Sequence, residues 1–338
     1  MRRRFNLSVG SRKLLAGLAC CASWLGLAAA PALAQEASGF PQRTITLIVN
    51  GGAGSLPDIF ARPLAEQLQQ SLGQTVVVDN RPGAGGMVAL QQLKGSDGSG
   101  HTLAIVTNAH AVWSPYIFPK LTYDPAVDLK PVSPIAVLPM ALVVNPKVQA
   151  KNLKELFALA KAQPGVLNYA SSGNGSPPHV LFEVLLSQAG KPDIVHIPFK
   201  TGPDALMSTV AGDTQIYFAG SALVEPMLKD GRLRALAVSP AVQSEGFAQV
   251  PTLEQEGHAG FESAVWIGLV AHKDTPDAVV AVLNRAVTQA LQAPAYLATM
   301  QANGSIPYPD SAAGFAQRIA RERSEWAPQL ERLGIRPN

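Results

Sequence analysis

Four short stretches combine glycine with serine, threonine, asparagine or lysine, the residue types that bind an anion without metal or redox chemistry. The first reads Asn50-Gly51-Gly52-Ala53-Gly54-Ser55-Leu56-Pro57-Asp58. Gly52 and Gly54 begin a dinucleotide fingerprint, but Pro57 stands where its third glycine should allow close helix–strand packing. A Gly-Lys-Ser/Thr ending is also missing, so the loop is not a P-loop. Backbone amides at a helix start still suit a carboxylate, which makes Gly51, Gly52, Ala53, Gly54 and Ser55 candidate contacts. The second, Ser171-Ser172-Gly173-Asn174-Gly175-Ser176-Pro177-Pro178-His179, offers the richest set of donors, with Ser176 placed to cap a helix and Pro177 suited to its first turn. The third, Phe199-Lys200-Thr201-Gly202-Pro203-Asp204, sets a cation beside a helix start; a solvated surface lysine is the bland alternative for Lys200. The fourth, Thr107-Asn108-Ala109-His110, could add hydroxyl and amide bonds from another strand end.

Catalysis is poorly served by the same residues. Ser172 and His179 could form a nucleophile–base pair, which keeps a secreted serine hydrolase open, but no third group orients the histidine and no G-x-S-x-G elbow is present. The six histidines, at 101, 110, 179, 196, 258 and 272, show neither an H-x-x-x-H pair nor an acidic cluster, so no metal site is expected. His196 and Trp266, each in an apolar run, and Glu225, near a helix start, read as structural residues.

These loops need elements to hold them. Apolar runs predict strands over 44–49, 75–79, 103–107, 141–144, 167–170, 194–198, 215–218, 233–239 and 265–271. Amphipathic stretches predict helices over 58–72, 87–93, 153–163, 178–188, 203–211, 222–229, 276–292 and 310–333. A proline-punctuated stretch (Pro115, Pro119, Pro125, Pro131, Pro134, Pro139) separates two such series and predicts no regular element. Alternation of this kind predicts an α/β protein with parallel sheets and a ligand cleft beyond the carboxyl ends of the strands.

Residues 1–34 read as a secretory signal peptide: basic residues at 2–4, 12 and 13, an apolar or small run over 14–33, and Ala32-Leu33-Ala34 as the cleavage pattern. A twenty-residue membrane anchor is the alternative, which the Ala/Gly-rich run and the cleavage site argue against. Arg2-Arg3 followed by Phe5 leaves twin-arginine export open, and neither Cys20 nor Cys21 sits in a lipid-attachment pattern. Both cysteines fall in this segment, so the exported chain has no disulfide or thiolate chemistry. Residues 1–34 hold five of the 27 basic residues and none of the 24 acidic ones, leaving a balance of −2 and no basic excess to neutralise nucleic acid. The remaining 304 residues exceed the size of one ordinary core and predict two domains.

In this order, several motifs together resemble the substrate-binding proteins of tripartite tricarboxylate transporters. They are Asn80-Arg81-Pro82-Gly83-Ala84-Gly85-Gly86, Tyr123-Asp124-Pro125, Val144-Asn145-Pro146, Leu167-Asn168-Tyr169-Ala170-Ser171-Ser172-Gly173-Asn174-Gly175, His196-Ile197-Pro198-Phe199-Lys200, Gly231-Arg232-Leu233-Arg234-Ala235-Leu236-Ala237-Val238 and Pro251-Thr252. The resemblance implies a two-lobed, type II-like Venus-flytrap fold. One lobe would comprise 35–138 and 240–338, the other 139–239. It implies a periplasmic, monomeric, cofactor-free receptor that is not an enzyme and passes a small carboxylate to membrane permease subunits; a sensor for a membrane signalling partner stays open. Carried over by motif, the second lobe would contact ligand through Ser171, Ser172, Asn174, Lys200, Thr201 and Gly202. The first would do so through the 50–56 loop, Thr107 and Asn108, while Asp58 and the 80–86 turn shape the lobe. Two departures are notable: the first loop lacks the usual proline- and aromatic-rich approach, and a strand end usually Phe-Asp reads Phe218-Ala219. Loss of that carboxylate at Ala219 implies a ligand without an ammonium group.

Overall fold

A computed structural model describes residues 39–239, 242, 245–261 and 265–334. The segment read as a signal peptide lies outside the described residues. The chain begins with strand β1 (Ile45–Val49), helix α1 (Leu56–Leu72), strand β2 (Val76–Asn80), helix α2 (Met87–Lys94) and strand β3 (Thr102–Thr107). Ile45, Leu47, Ile48 and Val49 of β1 have no exposed surface, as expected of a strand covered on both faces. Leu64 and Leu68 turn the buried face of α1 inward, and Gly73, in the left-handed region at φ 68°, ends that helix.

After β3 a single π-helical turn (Ala109–Trp113) runs into a short helix, α3 (Ser114–Ile117). The proline-rich region then forms strand β4 (Leu129–Val137), which continues through only Leu138 and Pro139 into β5 (Met140–Val144). The second sheet follows: α4 (Leu153–Ala162), β6 (Asn168–Ser171), α5 (Pro177–Gln188), β7 (Val195–Pro198), α6 (Gly202–Ala211), β8 (Ile216–Gly220), α7 (Ser221–Lys229) and β9 (Arg234–Ser239). The chain returns with β10 (Trp266–His272), α8 (Asp277–Ala290), α9 (Pro294–Ala302), β11 (Ile306–Pro307) and α10 (Ala312–Leu333).

Two sheets result, ordered β11-β4-β10-β3-β1-β2 and β7-β6-β8-β5-β9. Each is mixed, which corrects the expectation of parallel sheets. The β1–β2, β1–β3, β6–β7 and β6–β8 pairs are parallel, but β10 runs antiparallel to β3 and β4, and β5 antiparallel to β8 and β9. Of the reversed strands, β5 and β10 enter a sheet from the opposite one, while the two-residue β11 pairs antiparallel with β4 without crossing over. The crossings into β5 and β10 lie side by side, where the Leu138 N–H donates to the Val265 carbonyl at 2.9 Å.

Strand β4 carries Pro131 and Pro134 because β11 pairs only with Ala136 and Val137, so neither proline needs to donate on that side. Toward β10 the ladder absorbs them with register shifts at Ile267/Gly268 and Leu269/Val270. The C-terminal helix α10 spans both halves: Trp326 packs on Trp113 at 5.0 Å and on Phe261 at 6.5 Å, and Phe261 meets Phe218 of β8 at 6.4 Å. Among the described residues no helix is long and apolar enough to cross a membrane.

Candidate ligand cleft between the lobes

Asp58 organises the first loop from beneath. It is 2% exposed, and its carboxylate accepts from the Gly54 N–H at 2.8 Å, the Arg62 Nε at 2.9 Å and the Asn80 amide at 2.9 Å. Burial alone would raise its pKa, but the hydrogen bonds from Arg62, Gly54 and Asn80 outweigh that and hold the carboxyl below its usual range. The same Asn80 amide donates to the Gly51 carbonyl at 2.9 Å. All the charge beneath the loop is therefore spent on its shape, while Gly52, Ala53 and Gly54 stay exposed. Ser55 occupies the capping position of α1 without capping it, and its buried Oγ has no protein partner.

The end of β3 is built around His110. The Thr107 N–H donates to His110 Nδ1 at 3.2 Å, the Thr107 hydroxyl lies 3.0 Å from the same nitrogen, and the Asn50 amide group is 2.7 Å from Nε2. Nδ1 as acceptor leaves the proton of the neutral ring on Nε2, and the Asn50 amide nitrogen lies against both ring nitrogens, 2.7 Å from Nε2 and 3.1 Å from Nδ1. Part of the side chain meets solvent, yet the ring is enclosed deeply enough for burial to push its pKa down to about 4. Gly86, at φ 88°, leaves no room for a Cβ against this ring, so glycine is required there. Thr107 and Asn108 are 8% and 1% exposed, which closes both from solvent in this arrangement.

Beneath the 171–176 loop lies a stack of three rings. His179 and His196 are 4.0 Å apart and 7° from parallel, and Tyr169 stacks on His196 at 4.8 Å. The Tyr169 hydroxyl donates to Glu183 at 2.6 Å. The Gly175 N–H donates to His179 Nδ1 at 3.0 Å, and His196 Nε2 is 2.7 Å from Ser171 Oγ. Burial, and secondarily the neighbouring imidazole, depress His179 to about 3; burial depresses His196 to about 4. Ser171 has no exposed surface, and its Oγ also bonds the Gly173 carbonyl and N–H, each at 3.1 Å. Ser172 and Asn174 are part-exposed.

Ser176 sits at the capping position of α5, but its hydroxyl donates to the Gly173 carbonyl at 2.6 Å and caps nothing, contrary to expectation. Pro177 and Pro178 follow without N–H groups, so this helix start offers fewer donors than the glycine and serine content suggests.

At the third loop, Thr201 does cap α6: its Oγ1 accepts from the Asp204 N–H at 3.2 Å and donates to the Asp204 carboxylate at 2.7 Å. Its hydroxyl is committed to the helix. Lys200 is exposed and makes no ion pair among the described residues. Gly202 closes on the buried Tyr217, whose hydroxyl donates to the Gly202 carbonyl at 3.4 Å. Ala219 is wholly buried, its methyl in an apolar cluster with Ala141, Ala205 and Tyr217.

The two halves meet at residues that sequence reasoning missed. A methyl on Gly175 would lie 3.3 Å from Ile117 and 3.4 Å from the Phe118 ring, and Phe118 also fills the space beside Gly85. Phe118 is thus wedged between the first-lobe turn and the second-lobe loop. Its only sequence signal was an aromatic inside the proline-rich stretch. The π-helical turn that presents it is tied down by the Tyr123 hydroxyl on the His110 carbonyl (2.8 Å) and by Arg323 Nε on the Ala111 carbonyl (2.8 Å).

Among the described residues no Ser172–His179 bond forms, and Ser171, which bonds His196 beneath the same loop, is sealed from solvent. Among the described residues no group of three histidine, cysteine or acidic side chains could hold a metal.

Comparison with known proteins places this geometry. The chain is 34% identical to Protein BugT of Bordetella pertussis over 305 residues, which is 89% of this chain and 92% of that protein. It is 34% identical over 320 residues to the UPF0065 protein in the gbd 5' region of Cupriavidus necator, covering 95% and 96% of the two chains. Among solved structures it is similar to a protein of R. palustris, Rpa4515, with adipate (28% identity, TM-score 0.77, 88% and 100% covered). It is also similar to MatC of Rhodopseudomonas palustris with bound malate (29%, TM-score 0.76, 86% and 100% covered). The model of the tripartite tricarboxylate transporter family receptor matches residues 60–335, and the chain belongs to that family of two-lobed periplasmic solute-binding receptors.

Proposed function

We propose that this protein captures a small carboxylate between its lobes and delivers it to the membrane subunits of a tripartite tricarboxylate-type permease, without chemical turnover. The observation that carries the reading is the pairing of two glycine- and hydroxyl-rich loops, 51–55 and 171–176: Phe118 lies against Gly175 of the second and against Gly85 in the turn whose Asn80 holds the first. The acidic Asp58 is spent beneath the first loop, and two uncharged imidazoles lie beneath the second. Such loops offer amides and hydroxyls to an anion and present no competing carboxylate of their own. The structural relatives with adipate and malate support this class of ligand.

We assign ligand contacts to Gly51, Gly52, Ala53, Gly54, Ser55, Ser172, Asn174, Lys200 and Gly202, while Thr107 and Asn108, closed from solvent and with the Thr107 hydroxyl engaged by His110, shape the end of β3. Ser171, Thr201 and Ala219 serve by shaping the loops, since the two hydroxyls are already engaged and Ala219 offers only backbone. The lobes divide at 138/139 and near 240, and the chain is exported to the periplasm after cleavage near Ala34. With alanine rather than an acid at 219, the ligand lacks an ammonium group. Native mass spectrometry of freshly purified protein tests the reading by identifying a co-purified small acid. A calorimetric screen in which amino acids bind tightly and plain carboxylates do not would sink the ligand assignment.

A further inference from the structure

The stacked imidazoles beneath the second loop have no part in the ligand contacts assigned above, yet both bond directly to that loop. His179 Nδ1 takes the Gly175 N–H, so its proton must sit on Nε2. At Ser171, one hydroxyl proton cannot serve both His196 Nε2 and the Gly173 carbonyl. With Nε2 of His196 protonated, the ring donates to Ser171 Oγ, the hydroxyl donates to Gly173, and the Gly173 N–H donates back. All three contacts are then made at once; the other tautomer leaves one unmade.

The consequence is a division of labour among the loop amides. Those of Gly173 and Gly175 are turned inward onto Ser171 and His179, while Ser172 and Asn174 alternate with them and stay part-exposed. The two glycines take φ 114° and 76°, conformations open to glycine without strain, which lets the loop turn these amides inward onto their partners. The rings stack 4.0 Å apart, fixing each other's plane, and Tyr169 closes the stack from the sheet side.

We propose that His179 and His196 are positioning residues for ligand capture. As a neutral stacked pair they draw the Gly175 amide and the Ser171 hydroxyl inward and thereby orient the Ser172–Asn174 segment toward the cleft. This rests on the carboxylate-capture reading.

The test uses substitutions that separate hydrogen bonding from packing. His179→Asn keeps an acceptor at the Nδ1 position, and His179→Phe keeps an aromatic ring without one. His196→Gln and His196→Phe do the same for the donor at Nε2. Calorimetry with adipate and with malate is read beside the exchange rate of the Gly175 amide in the ligand-free protein. Loss of one loop-orienting bond should weaken binding roughly tenfold in each Phe variant, while the Asn and Gln variants stay within about threefold of wild type. The Gly175 amide should remain protected in wild type and His179→Asn and exchange faster in His179→Phe. Phe and Asn variants of equal affinity, or equal Gly175 exchange in all proteins, would overturn the proposal. Should His179→Phe not fold, the His196 pair decides by the same affinity comparison. A wild type that binds neither acid defeats the capture reading instead, and the exchange arm then decides whether the imidazole holds the loop.

Discussion

Replacing Asp58 by asparagine probes how the first loop is held. In the wild type, one carboxylate oxygen accepts from the Gly54 N–H and Arg62 Nε, and the other accepts from Asn80 Nδ2. The amide that Asp58→Asn introduces has only one oxygen. Turned toward Gly54 and Arg62, it sets its own NH2 group against that of Asn80. Flipping Asn80 relieves this clash but breaks its bond to the Gly51 carbonyl and turns its NH2 toward Arg62, which donates to the Asn80 oxygen at 3.1 Å. No arrangement satisfies every group, and Arg62 loses its partner charge. A lost charge-assisted bond together with one unsatisfied buried group costs about 2–4 kcal/mol. At about 2–4 °C per kcal/mol for chains near this size, the thermal midpoint should fall by roughly 4–16 °C. The sign with pH is also set. Asp58 is depressed when folded, so its contribution is present above its unfolded pKa and is lost as pH falls through its folded pKa; Asp58→Asn should lose that acid-dependent part. Differential scanning calorimetry at pH 7 and pH 3.5 reads both effects. An unchanged midpoint at pH 7 would show that the carboxylate does not hold the loop.

Two further outcomes follow from buried groups. His179 is depressed to about 3, so the unfolded chain binds a proton that the folded chain refuses between its unfolded pKa, near 6.5, and that value. Stability should therefore rise with pH across this window, by up to about 1.4 kcal/mol per pH unit for this proton. Urea unfolding at pH 4.5 and 7 should show a smaller difference for His179→Asn than for wild type; equal differences would refute it. In the first lobe, Glu322 accepts from Arg318 Nε and Trp266 Nε1, each at 2.7 Å, with Arg318 5% exposed. Glu322→Gln strands a buried guanidinium and should cost about 3–5 kcal/mol, whereas the apolar pair Arg318→Met/Glu322→Leu should cost less, as chemical denaturation would show.

The sequence made much of this architecture legible because apolar runs and glycine-rich turns alternate with little ambiguity. Strands such as β1 and β8 and helices such as α1 and α10 lie within a few residues of their predicted bounds. What escaped reading was long-range. Strand β4 was hidden because Pro131 and Pro134 argue against a strand, and only the short reach of β11 makes them tolerable. Strand direction was misjudged because local pattern records alternation, not which strands arrive from the other lobe.

Among the site residues, the loops themselves were visible, but the fate of each polar group was not. Composition cannot reveal that Ser176 donates backward instead of capping, or that Ser171 and Thr201 spend their hydroxyls on neighbours. Nor does spacing show that His110 folds under the end of β3 and that His179 and His196 stack together under the end of β6, since each partner is set by the packing of one element against another.

The central claim is capture of a carboxylate by loop amides and hydroxyls with the Lys200 cation, and calorimetric titration with adipate and malate, each beside its uncharged diamide, tests it most directly. The account predicts saturable binding of at least one acid, no measurable binding of either diamide, and recovery of the acid unchanged. Binding of a diamide as tight as its acid, or conversion of any of the four compounds, would contradict it.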